Sequence, residues 1–348
     1  MTELKGLIEQ IPLPWQSPQW QRLVSQQEKG QLAHAYLVAG AVGLGKLAFM
    51  QQFARYLLCH KRTKTGPCGR CRDCELSAQA NHPDIHLLQP EEGSRDIKVD
   101  QIRGLSQFLV RSSHSGGARI AIINHAHHMN VNAANGLLKS LEEPGSNSYI
   151  FLLTEAPGML TATIRSRCQR LQFSVPAFEE ASTWLHEHVD SSEDADRLLA
   201  AVDNRPLAAL ELSRTGTLDA EQDFTDKLYA LLLGRASLVA VVSAGLKLGE
   251  STAITCILKT VTTLSRKMTA CDADGSAAEL TEVLDKLSSG AREKDAEGIK
   301  SLLAKFLAYH QQALNAYRQV SSGANPNPQL VLESLLFDFG NLSSSKIP

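Results

Sequence analysis

Two features typical of membrane and exported proteins are missing from the sequence. No run of 18 apolar residues occurs, which argues against a membrane-spanning helix. The first residues, MTELKGLIEQIPLPW, contain no basic stretch followed by an apolar run, which argues against a secretion signal. We therefore expect a cytoplasmic protein with no membrane partner.

A large net charge is also missing. The formal charge is -2, so the molecule as a whole does not attract nucleic acid. Contact with DNA would need a local patch or a larger assembly. Hydrophobic residues make up 43% of the chain, enough to build apolar cores, so disorder is not expected.

The first half of the chain has the pattern of an α/β fold. Its length of 348 residues predicts two or three domains. Short, nearly continuous apolar runs are typical of strands buried on both faces of a parallel sheet. Such runs are AYLVAG (35–40), IHLLQ (85–89), RIAIIN (119–124) and YIFLLT (149–154), with a shorter one at RLQF. Helical segments separate them; one is expected to begin near Asp100 as N-cap, and another to stop at Pro144. We predict a doubly wound parallel sheet.

Beyond residue 174 the pattern becomes helical. Pro176 marks the boundary, and helix-like segments follow with few aromatic residues. We predict three domains: the α/β domain at 1–174, a small helical domain at 175–214 and a larger helical domain at 215–348.

A phosphate-loop motif lies between the first strand and the first long helix. Residues 40–47, GAVGLGKL, match G-x-x-x-x-G-K-S/T up to the last position, with glycines at Gly40, Gly43 and Gly45 and the lysine at Lys46. Leucine stands at position 47, where a working loop uses a hydroxyl to hold magnesium. Two interpretations stay open: a tight turn without ligand, or weak binding of a phosphate or nucleotide.

Acidic residues are missing after the RIAIIN strand, where phosphate-loop enzymes place carboxylates for the metal and the attacking water. The residues there are Asn124, His125, Ala126 and His127. Magnesium-dependent hydrolysis has therefore lost two elements from separate parts of the chain, and we expect no functional ATP or Mg²⁺ site. The histidines are not expected to bind a metal, because the sequence shows no acidic partner nearby.

Cysteine is concentrated in one place. Cys59, Cys68, Cys71 and Cys74 lie close together, whereas the remaining three are scattered. An odd total of seven, without a secretion signal, argues against disulfides. Four thiolates fill a tetrahedral shell, so we predict a structural Zn²⁺ module at 59–74. Cys59 could instead simply pack in the core, because it ends an amphipathic helix; the cluster could also hold iron and sulfur or act as a catalytic dithiol.

Two arginines, Arg165 and Arg167, lie between the YIFLLT strand and the RLQF strand. That is the working edge of a parallel sheet, where an arginine could act on the phosphate of a neighbouring molecule. From spacing alone, exposed ion pairs of little energetic value are the simpler interpretation.

These motifs together resemble a known family. LAHAYLVAG with GLGK, the CxxCxxC insertion after the first helix, ANGLLKSLEEP and TIRSRC after FLLTEAP are similar to the clamp-loader subunits of bacterial DNA polymerase III, which have the AAA+ fold. The resemblance covers residues 15–175. It implies a RecA-like AAA+ domain, a helical lid and a helical collar that joins subunits together.

Departures from the motor subunits favour the delta-prime branch. Gamma and tau subunits keep Ser or Thr after the loop lysine and an acidic pair after the third strand, whereas this chain has Leu47 and Asn124-His125. The resemblance implies that Arg167, in the SRC motif, acts as an arginine finger in trans on ATP held by an adjacent gamma or tau subunit. The implied partners are gamma or tau, delta, the sliding clamp and primed DNA.

Two further functions are left open by the sequence. One is an active gamma- or tau-like clamp-loader ATPase with unusual metal ligation. The second is a stand-alone zinc-dependent DNA-binding protein, which the near-neutral charge disfavours.

Overall fold

The structure, a computed structural model, describes residues 11–91, 94, 96–114, 116–189, 192–270, 295–321 and 327–342. Residues 1–10, on which the expectation of no secretion signal rests, and Cys271, one of the scattered cysteines, lie outside these ranges. The chain divides into two compact units, Met1–Arg214 and Thr215–Pro348. The finer division of the first unit at residue 174 stays a prediction.

A five-stranded parallel sheet forms the centre of the first unit. The strands are β1 (Ala35–Ala39), β2 (Ile85–Leu88), β3 (Arg119–Ile123), β4 (Ser148–Thr154) and β5 (Gln169–Gln172), in the order β2-β3-β4-β1-β5. The α/β class predicted from the sequence is confirmed, and each predicted strand is present to within about a residue at either end.

Helices cover the sheet and continue to the end of the unit. They are α1 (Ser17–Glu28), α2 (Lys46–Leu58), α3 (Arg72–Ala78), α4 (Val99–Val110), α5 (Val131–Glu142), α6 (Ala162–Arg167), α7 (Phe178–His186), α8 (Ser192–Ala201) and α9 (Pro206–Thr215). One face of the sheet packs on α4 and α5, and the core between them includes Leu37, Ile102, Leu105, Leu137 and Leu152. The opposite face carries aromatic packing between Phe151 and Phe53. Strands β1 and β3 are buried along their whole length, which explains their continuous apolar sequences.

One predicted helix start differs from the structure. Helix α4 begins at Val99, so Asp100 lies inside its first turn and Lys98 is the N-cap. The side chain of Gln101 accepts a hydrogen bond from the backbone N–H of Lys98 at 2.9 Å. That bond gives a partner to a backbone N–H at the start of the helix. The Asp100 carboxylate interacts favourably with the positive end of the helix dipole but does not cap the helix.

The second unit is helical over its described residues. Its helices are α10 (Leu218–Leu232), α11 (Leu238–Leu248), α12 (Glu250–Ala270), α13 (Asp295–Ser321) and α14 (Pro328–Asn341). Their apolar stripes meet in one core that includes Phe224, Leu228, Ile257, Phe306 and Phe339. Tyr309 is buried in this core, and its hydroxyl donates to the carbonyl of Leu335 at 3.0 Å.

Among the described helices, no single one has the length and apolar character needed to cross a membrane. One bent pair, Leu238–Leu248 with Glu250–Met268, meets the criterion jointly, by length and composition alone.

Candidate functional site

The phosphate-loop motif connects β1 to α2, as the sequence predicts. Gly43 and Gly45 have φ values of +84° and +78°, a region that favours glycine. At Gly40 an added Cβ would lie 2.6 Å from the carbonyl oxygen of Phe173, so the backbone that follows β5 requires glycine there. The glycines of the motif are therefore required by the structure. Gly43 and Gly45 are required by their backbone conformation, and Gly40 by close packing.

Lys46 is held inside this loop. Its ammonium group donates to the carbonyls of Gly40 and Ala41, both at 2.8 Å, and lies 3.6 Å from Oε1 of Glu155. The lysine is 6% exposed, and burial lowers its pKa while the Glu155 carboxylate opposes that shift. The Lys46 ammonium, which would bind a phosphate in a working loop, thus already has partners within this chain.

Helix α9 and the turn before it cover the outer side of the loop. The backbone N–H of Leu207 donates to the carbonyl of Gly43 at 3.2 Å, and the guanidinium of Arg205 donates to the carbonyl of Val42 at 3.4 Å. An added Cβ on Gly43 would lie 2.6 Å from the Cβ of Ala208. The segment 205–208 therefore packs directly on the phosphate loop.

The residues before α1 close the loop from another side. The carbonyl of Leu44 accepts from Nε2 of Gln16 at 2.8 Å and from the indole of Trp15 at 3.2 Å. Gln16 is fully buried, and its amide lies 2.7 Å from the position of a Cβ on Gly45. All carbonyls of residues 40–44 thus accept hydrogen bonds from this chain.

A carboxylate lies beside the histidines, which corrects the expectation that they have no acidic partner. Glu155 follows β4, and its Oε2 lies 3.4 Å from Nδ1 of His125 and 3.3 Å from Nδ1 of His127. Strands β3 and β4 are neighbours, with Ile123 paired to Leu152, so residues 30 positions apart meet at one edge. Burial raises the pKa of Glu155, but Lys46 and the imidazoles outweigh it and hold that pKa low.

Thr154, the last residue of β4, is buried within the same group. Its hydroxyl accepts from the backbone N–H of Ala156 at 3.1 Å and lies 3.2 Å from Nδ1 of His127. Burial, followed by the neighbouring His128, lowers the pKa of His127. The ends of β3 and β4 therefore carry a cluster of two histidines and one glutamate, with histidine and asparagine in place of acids directly after β3.

The four clustered cysteines converge as the zinc prediction requires. Sulfur atoms of Cys68 and Cys74 are 4.0 Å apart, those of Cys59 and Cys71 are 3.9 Å apart, and all four lie within 4.8 Å of one another. Four sulfurs bonded to one tetrahedral zinc ion at about 2.3 Å would be separated by about 3.8 Å. The donor set and its spacing fit a structural metal, and Cys59 is part of the set.

The surroundings shift the pKa values of the clustered thiols in opposite directions, and burial raises that of Cys59. Backbone N–H groups of Arg70 and Cys71 lower the pKa of the Cys68 thiol to about 6, which favours a thiolate. Burial raises the pKa of Cys74 to about 12, and a bound cation would offset that effect. The backbone N–H of Cys68 also donates to the sulfur of Cys59 at 3.3 Å.

A buried histidine ties the cysteine module to the sheet. Asp73 lies between two of the cysteines and is 3.2 Å from Nε2 of His82. The backbone N–H of Asp84 donates to Nδ1 of His82, so a neutral His82 carries its proton on Nε2 and donates it to Asp73. This chain of bonds leads from helix α3 to the start of β2.

Arg167 is the last residue of α6 and is followed after one residue by the start of β5, so it lies at the amino edge of the parallel sheet. The expectation that it lies at the working, carboxyl edge was wrong, because α6 leads the chain back to the edge where β5 begins. Its guanidinium donates to the carbonyl of Thr163 at 3.1 Å and lies 2.6 Å from Oε1 of Glu142, at the end of α5. The side chain is 35% exposed, and Arg165 is exposed as well. Sequence reasoning missed both Glu142 and Glu155, because each meets its partner only through packing of the folded chain.

Comparison with known proteins identifies the family of this chain. Residues 15–177 match the family model described as DNA polymerase III, delta subunit. The chain is 32% identical over 332 residues to a DNA polymerase III subunit delta' of Pseudomonas aeruginosa, covering 94% of this chain and 97% of that one. It is 38% identical over 189 residues to the Escherichia coli delta' subunit, covering 54% and 56% of the two chains.

Among solved structures, a gamma subunit-related protein of DNA polymerase III from Thermotoga maritima aligns with 94% of this chain and 99% of its own, at 17% identity and a TM-score of 0.42. The similarity to the Pseudomonas aeruginosa protein extends over nearly the whole of both chains. The chain therefore belongs to the delta-prime subunit family of the bacterial DNA polymerase III clamp loader.

Proposed function

We propose that this chain is a non-catalytic delta-prime subunit that helps load the sliding clamp onto primed DNA, and that Arg167 serves ATP bound by a neighbouring gamma or tau subunit. One observation carries the proposal. The phosphate loop is closed by the chain's own residues, whereas the guanidinium of Arg167 lies partly exposed at the end of α6.

The phosphate loop and the strand ends support the proposal that this chain does not hydrolyse ATP. Leu47 offers no oxygen to magnesium, and Asn124 and His125 stand where the acids of an active site would follow β3. Lys46 is buried against loop carbonyls and Glu155. A nucleotide would have to displace these contacts and the segment 205–208 as well.

The exposure and orientation of Arg167 support a role in trans. A guanidinium delivered across a subunit interface stabilises charge on the transferring phosphate, an effect worth roughly 10³ to 10⁵ in rate. Glu142 fixes one side of the guanidinium and the carbonyl of Thr163 accepts from another nitrogen, so the planar group has a defined orientation. Because the side chain is 35% exposed, a phosphate on a neighbouring subunit could still reach it.

Family membership and charge support a set of partners. We infer that the chain assembles with gamma or tau and delta subunits in the cytoplasm, and meets the sliding clamp and primed DNA as part of that complex. The formal charge of -2 agrees with DNA contact through the assembly rather than through this chain alone. The collar that joins the subunits would be the second unit, residues 215–348.

The zinc ion is proposed to be structural. Cys59, Cys68, Cys71 and Cys74 would hold it with no position left for water or substrate. An apparent binding free energy on the order of 10 kcal/mol would then order the segment between α2 and β2.

The proposal is tested by the purified chain alone and by the chain mixed with gamma or tau and delta. We expect no magnesium-dependent ATP hydrolysis by the chain alone, and a stable complex of the mixture by native mass spectrometry. Steady hydrolysis by the isolated chain, abolished by Lys46→Ala, would instead establish the gamma- or tau-like ATPase. DNA binding by the isolated chain that weakens steeply with salt would favour the stand-alone DNA-binding protein.

A further inference from the structure

A second group of metal-binding side chains lies away from the cysteines, at the carboxyl edge of the sheet. His125 and His127 follow β3, and Glu155 follows the neighbouring strand β4. His125 has a φ of +53°, and a single helical turn, Ala126–His128, comes next. This unusual backbone places the ring nitrogens of both imidazoles near the Glu155 carboxylate.

The spacing of the three groups matches a common coordination shell. Oε2 of Glu155 lies 3.3 Å from Nδ1 of His127 and 3.4 Å from Nδ1 of His125, and ligand atoms of all three lie within 4.8 Å of one another. Zinc bonded to nitrogen and oxygen at about 2.0 to 2.2 Å in tetrahedral geometry would separate its ligands by about 3.3 to 3.5 Å.

The chemistry of the donors selects the class of ion. Two imidazoles and one carboxylate suit zinc and its neighbours in the transition series, whereas magnesium and calcium prefer oxygen ligands and water. We propose that His125, His127 and Glu155 bind a divalent transition-metal ion, Zn²⁺ in the cell, at a site separate from the cysteines and with a fourth position open to water.

Access and local charge permit such an ion. Side-chain exposure is 44% for His125, 21% for Glu155 and 11% for His127, so the cluster opens to solvent on the side of His125. Lys46 brings a positive charge to the cluster, but its ammonium lies 3.6 Å from Oε1 of Glu155, whereas the contacts of the two imidazoles are with Oε2. Two loop carbonyls accept hydrogen bonds from the same ammonium.

The site would therefore bind more weakly than the cysteines, since it has three protein ligands and a cation nearby. The ion would join the ends of β3 and β4 and hold Glu155 in place beside Lys46. This inference does not depend on the proposed function, because the three ligands are separate from Arg167 and from the two residues that it contacts, Glu142 and Thr163.

Equilibrium dialysis of the full chain against buffered Zn²⁺, followed by metal analysis, tests the proposal. The wild type should bind one more equivalent of Zn²⁺ per chain than either His125→Ala or His127→Ala. This difference does not depend on how much zinc the cysteines hold. His128→Ala is the matched control, since it lies in the same turn outside the cluster, and it should bind as the wild type does.

Histidine proton–nitrogen NMR during zinc titration supplies a site-specific second measurement. The ring signals of His125 and His127 should shift at the added equivalent, while that of His310 in the second unit should not. Equal zinc content in the wild type and both cluster variants, with unchanged ring signals, would show that the cluster forms ion pairs only. Loss of the extra equivalent in His128→Ala would overturn the assigned ligands.

Discussion

At the scale of single residues, Arg167 does not extend alone from the end of α6. Glu142 lies 2.6 Å from one guanidinium nitrogen, and the carbonyl of Thr163 accepts from another. Both partners of the pair are about one-third to one-half exposed, at 35% and 49%, so the pair adds little to folding stability. Its value would lie in the orientation of the guanidinium.

We expect Glu142→Gln to slow DNA-stimulated ATP hydrolysis by a reconstituted clamp loader several-fold. The effect should be smaller than that of Arg167→Ala, because the glutamine amide keeps a hydrogen-bond acceptor for Arg167 and loses only the negative charge. Zinc content and complex assembly should not change. Glu143→Gln, at the adjacent exposed position, is the control and should hydrolyse ATP at the wild-type rate. Equal rates for wild type and Glu142→Gln would mean that the pair does not orient Arg167.

The sequence predicted the features of the site that belong to local motifs, but it did not predict contacts between distant residues. Leu47 and the absent acids after β3 are visible in the sequence, because each position belongs to a local motif. Glu155 was missed as a partner of His125 and Lys46, because its proximity depends on β4 lying next to both β3 and β1. Strand order is not encoded in the hydrophobic pattern of any one strand.

At the scale of elements, apolar runs located the strands of the sheet well. A strand buried on both faces has a continuous apolar sequence, as β1 and β3 do. Contacts between elements were less predictable. The packing of α9 on the phosphate loop rests on Leu207 and Ala208, whose sequence gives no sign that they approach Gly43 and Gly45.

Gly43→Ala tests the packing between the loop and α9, and Gly30→Ala is its control. Both glycines have positive φ, at +84° and +65°, but a Cβ on Gly43 would lie 2.6 Å from Ala208, whereas Gly30 has nothing within 4 Å. Gly30→Ala should lose about 1 kcal/mol of unfolding free energy from backbone strain. Gly43→Ala should lose roughly 1 to 3 kcal/mol more from overpacking.

Urea unfolding followed by tryptophan fluorescence measures this difference in the first unit alone. All three tryptophans of the chain, Trp15, Trp20 and Trp184, lie in that unit. Equal losses for the two variants would show that α9 does not press on the loop in solution.

The cysteine module gives a prediction about metal and stability together. Cys68→Ser and Cys71→Ser should each lower the tightly held zinc and the melting temperature, because a structural ion contributes binding free energy to the folded state. Cys168→Ala changes a half-buried thiol of the same unit outside the module and should keep the zinc. Elemental analysis after gel filtration, with a thermal melt, supplies both measurements. Full zinc content in both serine variants would contradict the assignment.

At the scale of the whole molecule, the phosphate loop and Arg167 are two parts of a nucleotide site that differ in what they contact. The loop is closed on its own chain, and we propose that the arginine serves a neighbouring subunit. The first unit retains the sheet that positions both. Family membership is shown over nearly the full length of the Pseudomonas aeruginosa relative, and the division between loop and arginine is our proposal for this member of the family.

ATP hydrolysis by a reconstituted clamp loader that carries Arg167→Ala tests this division most directly. The variant should assemble and keep its zinc, since a partly exposed arginine contributes little to folding. DNA-stimulated hydrolysis should nevertheless fall at the neighbouring site, and Arg167→Lys should not restore it, because an ammonium lacks the planar fork. Arg165→Ala, the matched control two residues away, should have the smaller effect. Normal assembly with hydrolysis and clamp loading at the wild-type rate would contradict this division and leave Arg167 as a surface residue.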